Sequence, residues 1–163
     1  MRYHAIKVCA AALVAATVLV LWPMSATAQG DDWRRYRVPE TGAGVDVPRH
    51  IFSETTGKPE AGYGARFLTA DRRANLTVQS LGNEANDTPA TFLAKKRPPS
   101  DIVYRRVTPN FFVVSSFRND LIWYNRCNFG GRSITCVLIN YPAAEKKRWD
   151  AVVTRISNSL SKR

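Results

Sequence analysis

Near the end of this chain a strand-like alternation of apolar and polar positions gives way to a helical period, and that junction organises the rest. Residues 121–127 (LIWYNRC) and 133–141 (SITCVLINY) are rich in β-branched and aromatic side chains. They flank Gly130-Gly131, which predicts the two strands of a hairpin. A four-residue loop from Gly130 to Ser133 sets Cys127 opposite Cys136, Tyr124 opposite Ile139 and Ile122 opposite Tyr141. Side chains alternate along a strand, so one face of the hairpin is apolar and aromatic. Trp123, Asn125, Leu138 and Asn140 share the other face with the cysteines. Opposed cysteines at a non-hydrogen-bonded pair lie close enough for a disulfide. The chain has no CxxC spacing, so we expect a structural staple there and not a redox centre.

After Pro142 the period lengthens. Trp149, Val152, Val153, Ile156 and Leu160 recur at helical spacing and form one apolar stripe, with Lys146, Lys147, Arg148, Arg155 and Lys162 mostly off it. Pro142 is expected in the first helical turn, Glu145 near the positive end of the helix dipole, and Lys162-Arg163 near the negative end. Burying five such side chains gains on the order of 8–15 kcal/mol. Ordering the residues that carry them costs about as much. The helix must therefore dock on the sheet before it.

Upstream, short strands are expected at residues 33–38, 45–47, 65–70, 74–81, 103–107 and 111–117, with tight turns at Asp71-Arg72-Arg73, Pro109-Asn110 and Asn119-Asp120. The Gly- and Pro-containing stretch 53–64 reads as a loop. Thr88 followed by Pro89 signals the N-terminus of a short helix that buries Phe92 and Leu93 and closes at Pro98-Pro99. The fold class expected is α+β: a twisted antiparallel sheet packed with a C-terminal amphipathic helix and one short mid-chain helix.

Residues 1–28 have the form of a secretory signal peptide: Arg2 and Lys7, an apolar run from Val8 to Trp22, and a small-x-small site at Ala26-Thr27-Ala28. Cleavage is expected after Ala28, leaving residues 29–163 as a single α+β domain, periplasmic or secreted, with no stable transmembrane anchor. The leader holds two of the 24 basic residues and none of the 13 acidic ones, so the remainder keeps a net charge of +9. Two of the three cysteines lie in that remainder, which suits one bridge in an oxidising compartment.

Several stretches carry a resemblance. Gly44-Val-Asp-Val-Pro48, Arg66-Phe67 with residues 71–78 (DRRANLTV), residues 88–93 (TPATFL), residues 104–114 (YRRVTPNFFVV), and Tyr141-Pro142 through Trp149-Asp150 to Arg155-Ile156 resemble a family of small exported proteins of rhizobial-type alphaproteobacteria. That resemblance brings no catalytic residues with it. More remotely, the layout resembles the PsbP-like fold, whose members are mostly non-enzymatic accessory or binding proteins.

His50 is the one histidine after the leader, which rules out a metal site built on several histidines, and no cofactor is expected. A small envelope hydrolase using His50, or a carboxylate pair drawn from Glu40, Asp46, Glu54 and Glu60, is the alternative reading, and no GxSxG elbow supports it. The positive charge is the better lead. Arg72-Arg73, Lys95-Lys96-Arg97 and Arg105-Arg106 are the candidate anion-binding groups, and Arg34, Arg35 and Arg37 with Trp33 and Tyr36 form a fourth basic group. Export disfavours nucleic acid and favours an anionic envelope lipid or glycan, or a protein partner. Adjacent charges on a strand point to opposite faces, so whether these groups make one patch depends on the fold. The reading is an exported, non-catalytic accessory or binding protein.

Overall fold

Strand β9, Ser133–Pro142, is hydrogen-bonded along both sides, to β5 (Asn75–Gly82) and to β8 (Leu121–Gly130), and every other element is placed relative to it. The computed structural model describes residues 32–161. The expected signal peptide and Lys162-Arg163 lie outside the described residues. The main sheet has seven antiparallel strands in the order β3 (Glu54–Thr55), β4 (Tyr63–Leu68), β5, β9, β8, β7 (Phe111–Arg118) and β6 (Ile102–Val107). The chain builds β3 to β5 as one meander and crosses over with helix α1 (Pro89–Lys96). It returns from the far edge through β6 to β9, so that β9 closes against β5. A separate hairpin, β1 (Trp33–Arg37) with β2 (Gly44–Pro48), packs with helix α2 (Lys146–Ser159).

The hairpin register is the expected one: Cys127 pairs with Cys136, Tyr124 with Ile139 and Ile122 with Tyr141. The disulfide joins Cys127 to Cys136 at a Cα–Cα distance of 4.1 Å, the short spacing of a non-hydrogen-bonded pair. Parity then sorts the side chains into two layers. On one face Leu76, Val78, Val137, Ile139, Ile122 and Tyr141 meet Trp149, Val153, Ile156 and Leu160 of α2 and Val45 and Val47 of β2. Trp149 stacks on Tyr141 at 5.3 Å between ring centroids. On the other face Leu93 of α1 covers Phe112, Phe129, Ile134 and the disulfide.

Four expectations are corrected. Residues 53–64 are not wholly loop: Glu54–Thr55 pairs with Leu68 and Phe67, and β4 begins at Tyr63. Gly62 and Gly64 are demanded by close approach. A Cβ on Gly64, whose φ is +137°, would sit 2.0 Å from the Val78 carbonyl oxygen across the sheet. Pro142 does not start the helix. It is the extended last residue of β9, opposite Leu121, and a 3-10 turn at Ala143–Glu145 separates it from α2. Within α2 the stripe holds, although Val152 is half-buried. In α1 Leu93 is buried and Phe92 half-buried, with Pro89 buried beside them. The expected cap is present: Thr88 Oγ1 accepts from the Thr91 backbone N–H at 3.2 Å.

Two outcomes follow for stability. Closing the ten-residue loop between the cysteines contributes about 2.7 kcal/mol in the chain-entropy treatment. Cys127→Ser should therefore lower the melting temperature by about 10 °C, with reductant acting on the parent protein and not on the variant. Burial, helped by the Asp150 carboxylate and by Tyr124, pushes the Tyr141 phenol up to about 12. A group that holds its proton more tightly when folded gives stability that is complete below its unfolded pKa of about 10 and is lost as pH rises through the folded value. Tyr141→Phe, which keeps the ring against Trp149, should raise the midpoint of alkaline unfolding followed by circular dichroism.

Candidate anion-binding site

Two tight turns decide where the arginines go. The turn at Pro109-Asn110 sets Arg106 opposite Val113, and the turn at Asn119-Asp120 sets Val113 opposite Arg126. One row across β6, β7 and β8 therefore reads Arg106, Val113, Arg126, and the next reads Tyr104, Ser115, Tyr124. Short side chains on β7 between long ones on both neighbours leave a trough on the α2 face of the sheet. Thr154, Ser157 and Asn158 of α2 form its inner wall, and its volume is about 440 Å³.

Phe111 closes one end, and both guanidinium groups turn to its ring: Arg106 at 5.4 Å and Arg126 at 5.1 Å from the centroid. The two cations are therefore no more than 10.5 Å apart. Arg126 is held by neutral oxygens alone, donating from Nε to Asn128 Oδ1 at 3.2 Å and from Nη1 to Ser157 Oγ and Asn158 Oδ1, both at 3.3 Å. Tyr124 Oη donates to Ser157 Oγ at 2.6 Å. Burial pushes the Tyr124 phenol up, against the pull of the Ser157 hydrogen bond and the Arg126 charge, so it stays a neutral donor. No carboxylate of a described residue lines the trough, and neither arginine is in an ion pair with a described residue. Two guanidinium groups with no counter-charge among the described residues, that of half-buried Arg126 and that of exposed Arg106, with neutral hydroxyl donors beside them form a receptor for carboxylate, phosphate or sulfate oxygens.

The seven candidate residues from the sequence do not gather in one place. Arg72 pairs with Glu54 at 3.5 Å, Arg73 with Glu145 at 2.8 Å and Lys95 with Asp87 at 2.6 Å. Arg97 caps α1 in the left-handed conformation. Arg105 and Arg106 are adjacent on β6 and so face opposite sides, and Arg106 alone of the pair enters the trough. Lys96 lines a second concavity of about 280 Å³ on the α1 face, with Arg66, Arg118, Asn75, Thr77 and Asn140. There Lys96 Nζ donates to Gln79 Oε1 at 3.3 Å. Burial pulls its pKa down, opposed by the nearby Glu60 carboxylate. This basin therefore carries part of its own counter-charge, unlike the trough. In the fourth group, Arg34 pairs with Asp32 at 2.9 Å and Arg35 with Asp46 at 3.0 Å.

Arg126, a lone arginine in a strand otherwise read for its apolar face and its cysteine, was not among the candidates. The two turn positions carry the signal that unites it with Arg106, since each fixes a register. His50 lies exposed beside a groove with Thr69, Asp71 and Glu145. The Thr69 hydroxyl is committed to Asp71 at 2.6 Å, which holds that carboxyl below its usual range, and Glu145 is committed to Arg73. Asp46, Glu54 and Glu60 are each set against a separate base, and Glu40 lies near Tyr36.

No family model and no curated protein matches this chain. Among solved structures it is similar to the solution structure of cyanobacterial PsbP (CyanoP) from Synechocystis. The TM-score is 0.60 at 8% identity, over 82% of this chain and 94% of that one. The fold is PsbP-like α+β, and at this identity the likeness concerns the fold.

The environments of Arg126 and Lys96 predict unequal responses to the same substitution. Arg126→Met leaves the side-chain oxygens of Asn128 and Asn158 without this donor and Ser157 Oγ with Tyr124 alone, and should cost about 1–3 kcal/mol in urea unfolding. Lys96→Met keeps the stem against Phe92 and removes a desolvated ammonium, so it should stay within about 1 kcal/mol of the parent.

Proposed function

We propose that this is a non-catalytic accessory protein that holds an anionic group of a partner in the trough between β6, β8 and α2. The observation that carries the reading is the pair of guanidinium groups of Arg106 and Arg126 turned to one phenyl ring, with no carboxylate among the described residues of the lining. The net charge of +9 that remains without residues 1–28 supports it by steering anions to the surface. The PsbP-like fold supports an accessory role. The Cys127–Cys136 bridge fits an oxidising compartment. In this reading residues 1–28 are a leader, residues 29–163 act as one domain in the periplasm or outside the cell, and the chain is one of the small exported alphaproteobacterial proteins that it resembles.

Inorganic pyrophosphate is a suitable first probe, because two charged termini can engage two guanidinium groups. Titrated at low salt into the isotopically labelled protein, it should shift the amide signals of Arg106, Val113 and Arg126. Arg106→Gln and Arg126→Gln should each weaken binding about tenfold, since one charge-assisted hydrogen bond contributes about 1.5–3 kcal/mol. Unchanged affinity in the double variant would sink the proposal.

A further inference from the structure

The wall of the trough farthest from α2 is also the open edge of the sheet. All six residues of β6 are exposed, whereas the opposite edge, β3, is two residues long. The Thr108 N–H donates to the Phe111 carbonyl at 2.9 Å, which fixes the alternation along β6. Residues 104 and 106 exchange hydrogen bonds with β7, so the N–H and C=O groups of Arg105 and Val107 point away from the sheet. Among the described residues no backbone or side-chain group bonds to them from that side. Ile102, Val103, Tyr104 and Val107 also leave 36–52% of their surface exposed there. A row of unused backbone groups with apolar side chains beside it is a template for one more strand.

Charge selects what that strand can be. A second copy of this chain would set Arg105 and Arg106 against their own equivalents, and the register shift between Ile102 and Tyr104 distorts the edge that two copies would have to match. β6 has no acidic residue, and neither arginine is in an ion pair with a described residue. Adjacent side chains on an added strand point to opposite faces, so two consecutive carboxylates meet Arg105 on the α1 face and Arg106 at the trough. We infer that β6 receives an extended acidic segment of a partner protein as an eighth strand, one carboxylate against Arg105 and its neighbour reaching the trough at Arg106. This rests on the reading of the trough as an anion site and names the partner's chemistry.

The probe is a short peptide of valine and threonine with two adjacent glutamates at its centre. Two controls are the same peptide with lysines for glutamates and the same peptide N-methylated at alternate backbone nitrogens, which keeps the charge and blocks strand pairing. Measured on the folded protein, the acidic peptide should slow exchange of the Arg105 and Val107 amide protons at least tenfold, and both controls should bind at least tenfold more weakly. Arg105→Gln combined with Arg106→Gln should weaken the acidic peptide by a similar factor. Equal binding of the N-methylated peptide, or binding without amide protection, would overturn the added strand. So would failure of the acidic peptide to bind while pyrophosphate still shifts Arg126, and in all three cases the trough reading would survive. Loss of the pyrophosphate response as well would overturn both. Slow exchange of the two amides without peptide, together with dimerisation in sedimentation, would assign the edge to a second copy and overturn the inference.

Discussion

The pairing of β9 on both of its sides is the constraint from which the other layers follow. An antiparallel strand has a period of two, so a shift of one residue would carry Ile139 and Tyr141 out of the layer under α2 and drive Cys136 into it. Cys127–Cys136 pins the register against β8 covalently, and Leu76–Ile139 and Val78–Val137 hold it against β5 through buried contacts. Both meanders inherit their facing from this one strand. The α2 stripe and the α1 cap are consequences, since each helix covers the apolar face that β9 has already assigned to it.

The same parity governs the charge. Adjacent arginines on a strand look like a concentrated patch in one dimension and are separated by the thickness of the sheet in three. Arg105 and Arg106 show this directly. Charges gather instead between residues far apart in sequence that share a row, as Arg106 and Arg126 do across Val113. What distinguishes their trough is the lack of compensation among the described residues, because Arg72, Arg73 and Lys95 each have a carboxylate within 4 Å and the trough pair are in no ion pair with a described residue. Exposed pairs of the compensated kind contribute little to stability. Their main effect here is to remove those cations from competition for an outside anion.

The sheet is also unequal from end to end. Strands β5, β7, β8 and β9 carry buried residues on both faces, while β6 is open in backbone and side chain alike. A protein that tolerates such an edge normally blunts it, and the bulge at Val103 and the two arginines do that against self-pairing. They do not block an acidic partner, so the device that keeps copies apart also sets a preference.

Local signals in the chain determined a good part of this. The Gly130-Gly131 turn and the alternation around it fixed the Cys127–Cys136 register, the 149-to-160 spacing fixed the face of α2, and Thr88-Pro89 fixed the start of α1. Each is short-range chemistry, in which a turn type, a period or a cap is specified by residues a few positions apart. Other features depended on neighbours distant in sequence. Gly62 and Gly64 look like loop residues until β5 approaches their backbone, and Pro142 looks like a helix start until Leu121 holds it in the sheet. The insertion of β9 beside β5, the exposure of β6 and the meeting of Arg106 with Arg126 were decided by tertiary structure alone. Strand order depends on which surfaces bury one another, and no local pattern encodes that.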